Sequence, residues 1–266
     1  MSANELIYKD GVYSIDFDNL ETKASDPKAK VLLLCSPHNP VGRVWTKEEL
    51  IRIGDICLRN QVVVLSDEIH CDLVFSRHPH IPFASINEKF LQNSVTCTSP
   101  SKTFNMAGLQ VANIIAADES IRQKIDKSLN INEVCDINAF AADAMIAAYN
   151  EGEEWLEALK EYLYGNYLYL KDFIQTKLPF IKVLPLEATY LVWLDITATG
   201  QSCRTFAKTL MEEQNLWVNE GVIYGSNGEG FIRMNIACPR QLLIEGLSKI
   251  EMSTFHHHKE SNVIRN

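Results

Sequence analysis

The chain has 266 residues, 46% of them hydrophobic, and a formal charge of −9, enough apolar mass for one large domain or two smaller ones. No basic cluster runs along its body, which argues against nucleic acid as a partner, and no apolar run is long enough to span a bilayer. The seven cysteines are scattered without a CxxC pair, so neither a disulfide framework nor a zinc site is indicated, and a reduced, cytoplasmic compartment is expected.

The opening "MSANELIYKDGVYSIDF" reads as a polar lead-in with a short edge strand rather than the start of a complete α/β domain. "VLLLC" (31–35) has the continuous apolar character of a buried parallel strand. The loop "SPHNPVGRVW" follows, then a helix over "TKEELIRIGDICLRN" with Thr46 and Glu49 spaced as a capping box. "VVVLS" (62–66) is a second buried strand ending at Asp67. "SVTCTS" (94–99) and "VANIIAA" (111–117) are two more, joined by a loop that holds Lys102. This alternation predicts an α/β fold, a mainly parallel sheet with helices on its faces.

From about residue 118 the pattern turns helical. Asp118 and Asp136 are expected to cap helices over 119–129 and 137–150. "EEWLEALKEYLYGNYLYLKDFIQTKL" (153–178) predicts one long helix ended by Pro179. Strands near 181–184 and 190–195, a helix near 202–214, strands near 216–219 and 230–236, and a last helix from Pro239 predict a smaller α/β unit with an antiparallel sheet. The expected division is a large domain over 1–165, a small C-terminal domain over 166–252, and a disordered polar tail over 253–266.

Four residues at strand ends or in adjoining loops carry candidate chemistry, because ligands collect at the carboxyl ends of strands in open α/β sheets. Asp67 can hold a positive ring nitrogen, or simply cap the next segment. Asn39 can donate to a ligand oxygen, or serve as the turn residue before Pro40. Lys102, in a small-residue loop between apolar strands, suits an amine nucleophile whose pKa falls on partial desolvation, or is a solvated loop lysine. Ser99 and Ser101 beside it can donate to a phosphate. Arg233, alternating with apolar residues in "GFIRMNIACPR", suits bidentate carboxylate recognition, or is a solvent-facing edge arginine.

Taken together, "SPHNPVGRVW", "LSDEIHCDL", "SPSKTFNMAGLQ" and "RMNIACPR" make the chain resemble the fold type I pyridoxal-phosphate enzymes of the aminotransferase superfamily. The last three look especially like the MalY/PatB branch of cystathionine β-lyases, over about residues 5–252. The resemblance implies pyridoxal 5'-phosphate as cofactor and Lys102 as the lysine that bonds to it covalently and serves as catalytic base. It implies Asp67 on the pyridine nitrogen, Asn39 and His70 on the ring 3′-oxygen, Ser99 and Ser101 on the phosphate, and Arg233 on the substrate α-carboxylate. Where the aspartate aminotransferase pattern has a phosphate-binding arginine, eight residues after the lysine, this chain has Gln110.

The implied activity is β-elimination from a cysteine S-conjugate, giving a thiol, pyruvate and ammonia. An amino-acid aminotransferase and a non-catalytic, regulator-binding fragment stand as alternatives. A small amino-acid substrate and a homodimer are implied as partners. The family carries an N-terminal portion with a glycine-containing phosphate loop and a ring-stacking aromatic that this sequence lacks, so it is expected to be an N-terminally truncated fragment. "His70–Cys71" as a thiol-protease pair lacks an oxyanion loop, and "YGSNGEG" (224–230) precedes a strand and fails the dinucleotide fingerprint.

Overall fold

The computed structural model describes residues 2–75 and 77–263, with side chains through Thr254. The chain opens on an antiparallel hairpin of β1 (Ile7–Lys9) and β2 (Val12–Ser14). Its turn residues Asp10 and Gly11 both have positive φ, 52° and 82°, the geometry of a two-residue turn whose twist matches that of its strands. Helix α1 (Phe17–Ala24) follows, N-capped by the Asp16 carboxylate, which accepts from the Asn19 amide.

The first sheet is built from β3 (Val31–Cys35), β4 (Val63–Asp67), β5 (Ser94–Thr98) and β6 (Asn113–Ala116), in that spatial order. The first three strands run parallel and β6 pairs antiparallel at the far edge, giving the mainly parallel α/β sheet that the sequence predicts. Between β3 and β4 lies α2 (Lys47–Arg59), and the Thr46–Glu49 capping box forms in both directions. Leu50, Ile53, Ile56 and Cys57 of α2 pack with Leu20 and Ala24 of α1, Leu34 of β3 and Val64 of β4 into one core. The short α3 (Glu88–Gln92) brings Phe90 against Gly54 of α2. A Cβ at Gly54 would come within 2.3 Å of that ring, so only glycine permits the approach.

One expectation about this sheet fails. β3 is not buried on both faces: Val31 and Leu33 are 60% and 62% exposed. Among the described residues it is an edge strand, with α1 and α2 covering only the face that Leu34 occupies. The other edge is similar, with Ile114 and Ile115 of β6 exposed.

A one-turn helix, α4 (Pro100–Thr103), leaves β5 and carries Lys102. Beyond β6 come α5 (Glu119–Ile131), capped by Asp118 as expected, then α6 (Ala141–Glu151) and α7 (Glu153–Lys177). Asp136 is not a helix cap. The segment 131–140 is exposed throughout, so no buried face winds it, and α6 starts five residues later after Phe140.

The second sheet is antiparallel, ordered β7 (Lys182–Val183), β8 (Leu191–Asp195), β10 (Phe231–Asn235), β9 (Asn219–Glu220). Helices α7, α8 (Cys203–Gln214) and α9 (Arg240–Val263) supply its main core. Every β8 residue is buried, because successive side chains point to opposite faces and both faces are covered. Val192 and Leu194 enter the helical core, while Trp193 stacks on Phe231 in a cluster with Tyr13 of the hairpin. The last helix runs through the stretch predicted as a polar tail, to Val263. Ser253 and Thr254 are buried, so the helix still has a packed face there, and Thr254 Oγ1 donates to the Ile250 carbonyl. Residues 264–266 of that predicted tail lie outside the described residues.

Candidate functional site

The parallel strands end together. Cys35, Asp67 and Cys97 form one cross-strand row at the carboxyl ends of β3, β4 and β5, where α/β sheets gather ligands. Asp67 is the last residue of β4. Its Oδ1 accepts from the Ile69 amide at 3.2 Å, and no cation among the described residues lies within ion-pair distance of it. Asn39 stands in the loop after β3, and Ser99, Ser101 and Lys102 stand just after β5.

Ser99 N-caps α4. Its Oγ accepts from the Ser101 amide (3.1 Å), lies 2.6 Å from Ser101 Oγ and donates to the Val111 carbonyl at 2.7 Å. The one Ser99 proton is therefore engaged by Val111, so the half-buried Ser101 hydroxyl donates in the 2.6 Å contact and would turn from Ser99 to reach a ligand. Lys102 is half-buried on this turn.

His70 lies three residues past Asp67 and is buried. Burial, followed by the positive charges of Lys102 and Arg233, pulls its pKa down to about 4, so it is neutral at pH 7. The ring meets Tyr190 edge-on, with centroids 6.0 Å apart, and its buried Nδ1 has no hydrogen-bond partner among the described residues. Tyr190 itself lies near Arg233, whose charge offsets part of the burial that raises the phenol's pKa.

Arg233 reaches the same place from β10 of the second sheet. Its Nη1 donates to Asn39 Oδ1 at 2.9 Å and its Nη2 to Asn219 Oδ1 at 3.2 Å, while the guanidinium carbon sits 4.8 Å from the centroid of the Tyr224 ring. Nε is buried and has no hydrogen-bond partner among the described residues. Both acceptors are neutral amides, and no carboxylate among the described residues pairs with Arg233, so its charge is oriented but not cancelled. The Asn39 bond joins residues 194 apart in sequence.

The segment before β8 is stitched to the same loops. The Glu187 and Ala188 amides donate to the Gly42 carbonyl and the Thr189 amide to that of Leu73, while Arg43 ion-pairs with Glu49 and Glu187. Thr189 holds φ = 71° while fully buried, an unusual backbone for a β-branched residue and one that neighbouring structure must enforce. It delivers Tyr190 to His70.

The structure thus brings Asn39 and Arg233 into contact, puts His70 within the field of Lys102 and Arg233, and lines Asp67 up with the strand ends. Sequence reasoning missed Tyr190, Tyr224 and Asn219. Their only local signal was membership of strands or turns flanking Arg233, which does not separate them from packing residues. Gln110 is exposed and takes the left-handed conformation that closes the lysine loop.

Residues 6–250 match the family model described as aminotransferase class I and II. The chain is 44% identical over 248 residues to cystathionine β-lyase PatB of Bacillus subtilis, covering 93% of this chain and 64% of that protein. It is 36% identical to protein MalY of Escherichia coli, covering 88% and 59% respectively. Among solved structures it matches cystalysin from Treponema denticola, which contains a pyridoxal 5'-phosphate cofactor, with a TM-score of 0.92 at 38% identity, covering 94% of this chain and 64% of that one. The pyridoxal-phosphate-bound C–S lyase from Staphylococcus hominis matches with a TM-score of 0.86, also at 38% identity, covering 94% and 64%. The chain therefore spans less than two thirds of the length of these relatives.

Proposed function

Since the chain belongs to the aminotransferase class I and II family, we propose that it carries active-site residues of a pyridoxal-phosphate-dependent C–S β-lyase, which cleaves a cysteine S-conjugate to thiol, pyruvate and ammonia. The observation that carries this reading is Arg233, oriented by two neutral amides with a buried, unpartnered Nε. A cation held this way suits a ligand carboxylate. Its charge, like that of Lys102, acts on His70.

The residues present fit the cofactor. Lys102 would hold it covalently, Asp67 would face its ring nitrogen, Asn39 and the unpartnered His70 would address its ring oxygen, and Ser101 with Ser99 its phosphate. When bound, the cofactor supplies an electron sink for the bond broken at the substrate Cα. The chain's own residues do the rest. Arg233 fixes the substrate carboxylate and so the orientation of Cα. The Lys102 amine, once free, takes the Cα proton as general base. The neutral His70 exchanges hydrogen bonds without adding charge next to two cations.

The names of PatB, a cystathionine β-lyase, and of the S. hominis C–S lyase support the lyase reading over transamination. Two further proposals accompany it. The whole protein is a homodimer, a reading supported by the exposed apolar run Ile131, Val134, Ile137 and Phe140. It works in a reducing cytoplasm, which suits its seven free thiols. The test is pyruvate and thiol release from cystathionine with no keto acid present. Release supports the lyase, whereas turnover only with a keto-acid acceptor makes the protein an aminotransferase. Absence of cofactor binding, even in a full-length form, favours a non-catalytic binding fragment.

A further inference from the structure

Lys102 sits on a helix of four residues, too short to hold its own conformation in water. Its direction must come from what grips the turn. The N-terminal end is held by Ser99, through the Ser101 amide and the Val111 carbonyl. The C-terminal end is Thr103, the residue after the lysine, which is fully buried. Its Oγ1 donates to Asp72 Oδ2 at 2.8 Å.

Asp72 lies five residues past Asp67 and two past His70. Its own backbone is flanked by fixed points: the Cys71 amide donates to the Glu68 carbonyl, the Leu73 amide to that of His70, and the Leu73 carbonyl accepts from Thr189. Among the described residues, Thr103–Asp72 is the one side-chain hydrogen bond between the segment 67–83, which carries Asp67 and His70, and the segment 99–110, which carries Lys102. The Asp72 carboxylate is contacted by the Thr103 hydroxyl and the Cys71 thiol, and its charge also acts on Tyr149 of α6. No cation among the described residues pairs with it.

We propose that Asp72 is a positioning residue that acts through Thr103 to aim the Lys102 amine at the site formed by Asp67 and His70. The inference rests on the reading of Lys102 as the cofactor-bonding lysine. An acceptor of fixed position and a donor adjacent to the lysine are what the device needs; the charge of Asp72 is secondary.

The test follows the covalent capture of pyridoxal phosphate on Lys102, by borohydride reduction and peptide mapping, with thermal unfolding and amide exchange of residues 101–104 measured in parallel. Thr103→Val keeps the shape and removes the donor, and it is expected to slow capture about tenfold, the worth of one good hydrogen bond, with faster exchange at 101–104. Thr103→Ser keeps the donor and is expected to stay within about twofold of wild type. Asp72→Ala should match Thr103→Val, and the double variant should be no worse than either single one. Wild-type capture and exchange in Thr103→Val overturn the inference while leaving the functional reading intact, as do effects that add or that track unfolding temperature alone. A wild-type chain never labelled at Lys102 overturns both.

Discussion

Glu68 follows Asp67 directly, yet it points into the protein: it is 2% exposed. Its Oε1 accepts from the Ser66 hydroxyl at 2.9 Å and from the Phe83 amide at 3.0 Å, and its Oε2 lies 2.9 Å from His80 Nε2. One carboxylate thus closes the long loop between β4 and the 3-10 turn at Phe83, the loop that presents His70 and Asp72. Glu68→Ala strands two buried donors and an imidazole. At about 1–3 kcal/mol for each buried donor left unpaired, the expected loss of stability is about 3–5 kcal/mol. Glu68→Gln keeps an oxygen for Ser66 and Phe83 and should cost about 1 kcal/mol. Urea unfolding followed by tryptophan fluorescence measures both, read from midpoints at unchanged slope. An alanine variant within about 1 kcal/mol of wild type, or a glutamine variant as damaged as the alanine one, would refute the claim that these hydrogen bonds hold the loop.

Two further outcomes follow from the site. His70 and His38 are both held neutral down to about pH 4, by burial first and then by cationic neighbours, whereas unfolded histidine titrates near 6.5. Their contribution to stability is complete above that value and falls as the pH drops through the window from 6.5 to 4. Between pH 6.5 and 5 each should cost about 2 kcal/mol, and His70→Gln should show a smaller acid loss than wild type in parallel urea titrations at the two pH values; equal losses would contradict the assignment. Arg233→Leu should lower kcat/KM for cystathionine by roughly a hundredfold or more, the loss expected for truncating a buried charge partner, with Arg233→Lys recovering only part because a point charge replaces the fork. An unchanged kcat/KM in Arg233→Leu would remove the carboxylate role.

The strand and helix pattern was legible because its signals are local. The apolar run at 31–35, the Thr46–Glu49 capping box and the long amphipathic stretch ended by Pro179 all fold where they stand in the sequence. What was not legible depends on partners. Val31 and Leu33 look like core residues in the sequence, yet among the described residues nothing covers their face of β3 and they are exposed. Asp136 has the chemistry of a cap, but the segment after it has no buried stripe to wind into a helix. The candidate site divides the same way. Lys102, Asp67, Asn39 and Arg233 stood out by residue type beside strands, whereas the Asn39–Arg233 hydrogen bond, the Thr189-to-Tyr190 turn and the Asp72–Thr103 clasp exist only through long-range packing.

The central claim is that Lys102 is the residue to which pyridoxal phosphate bonds. The most direct measurement is the visible absorbance of the purified chain after pyridoxal phosphate is added, repeated with Lys102→Ala. A band present in the wild type and absent in the variant is the predicted result. The same band in both, or none in either, would contradict the account.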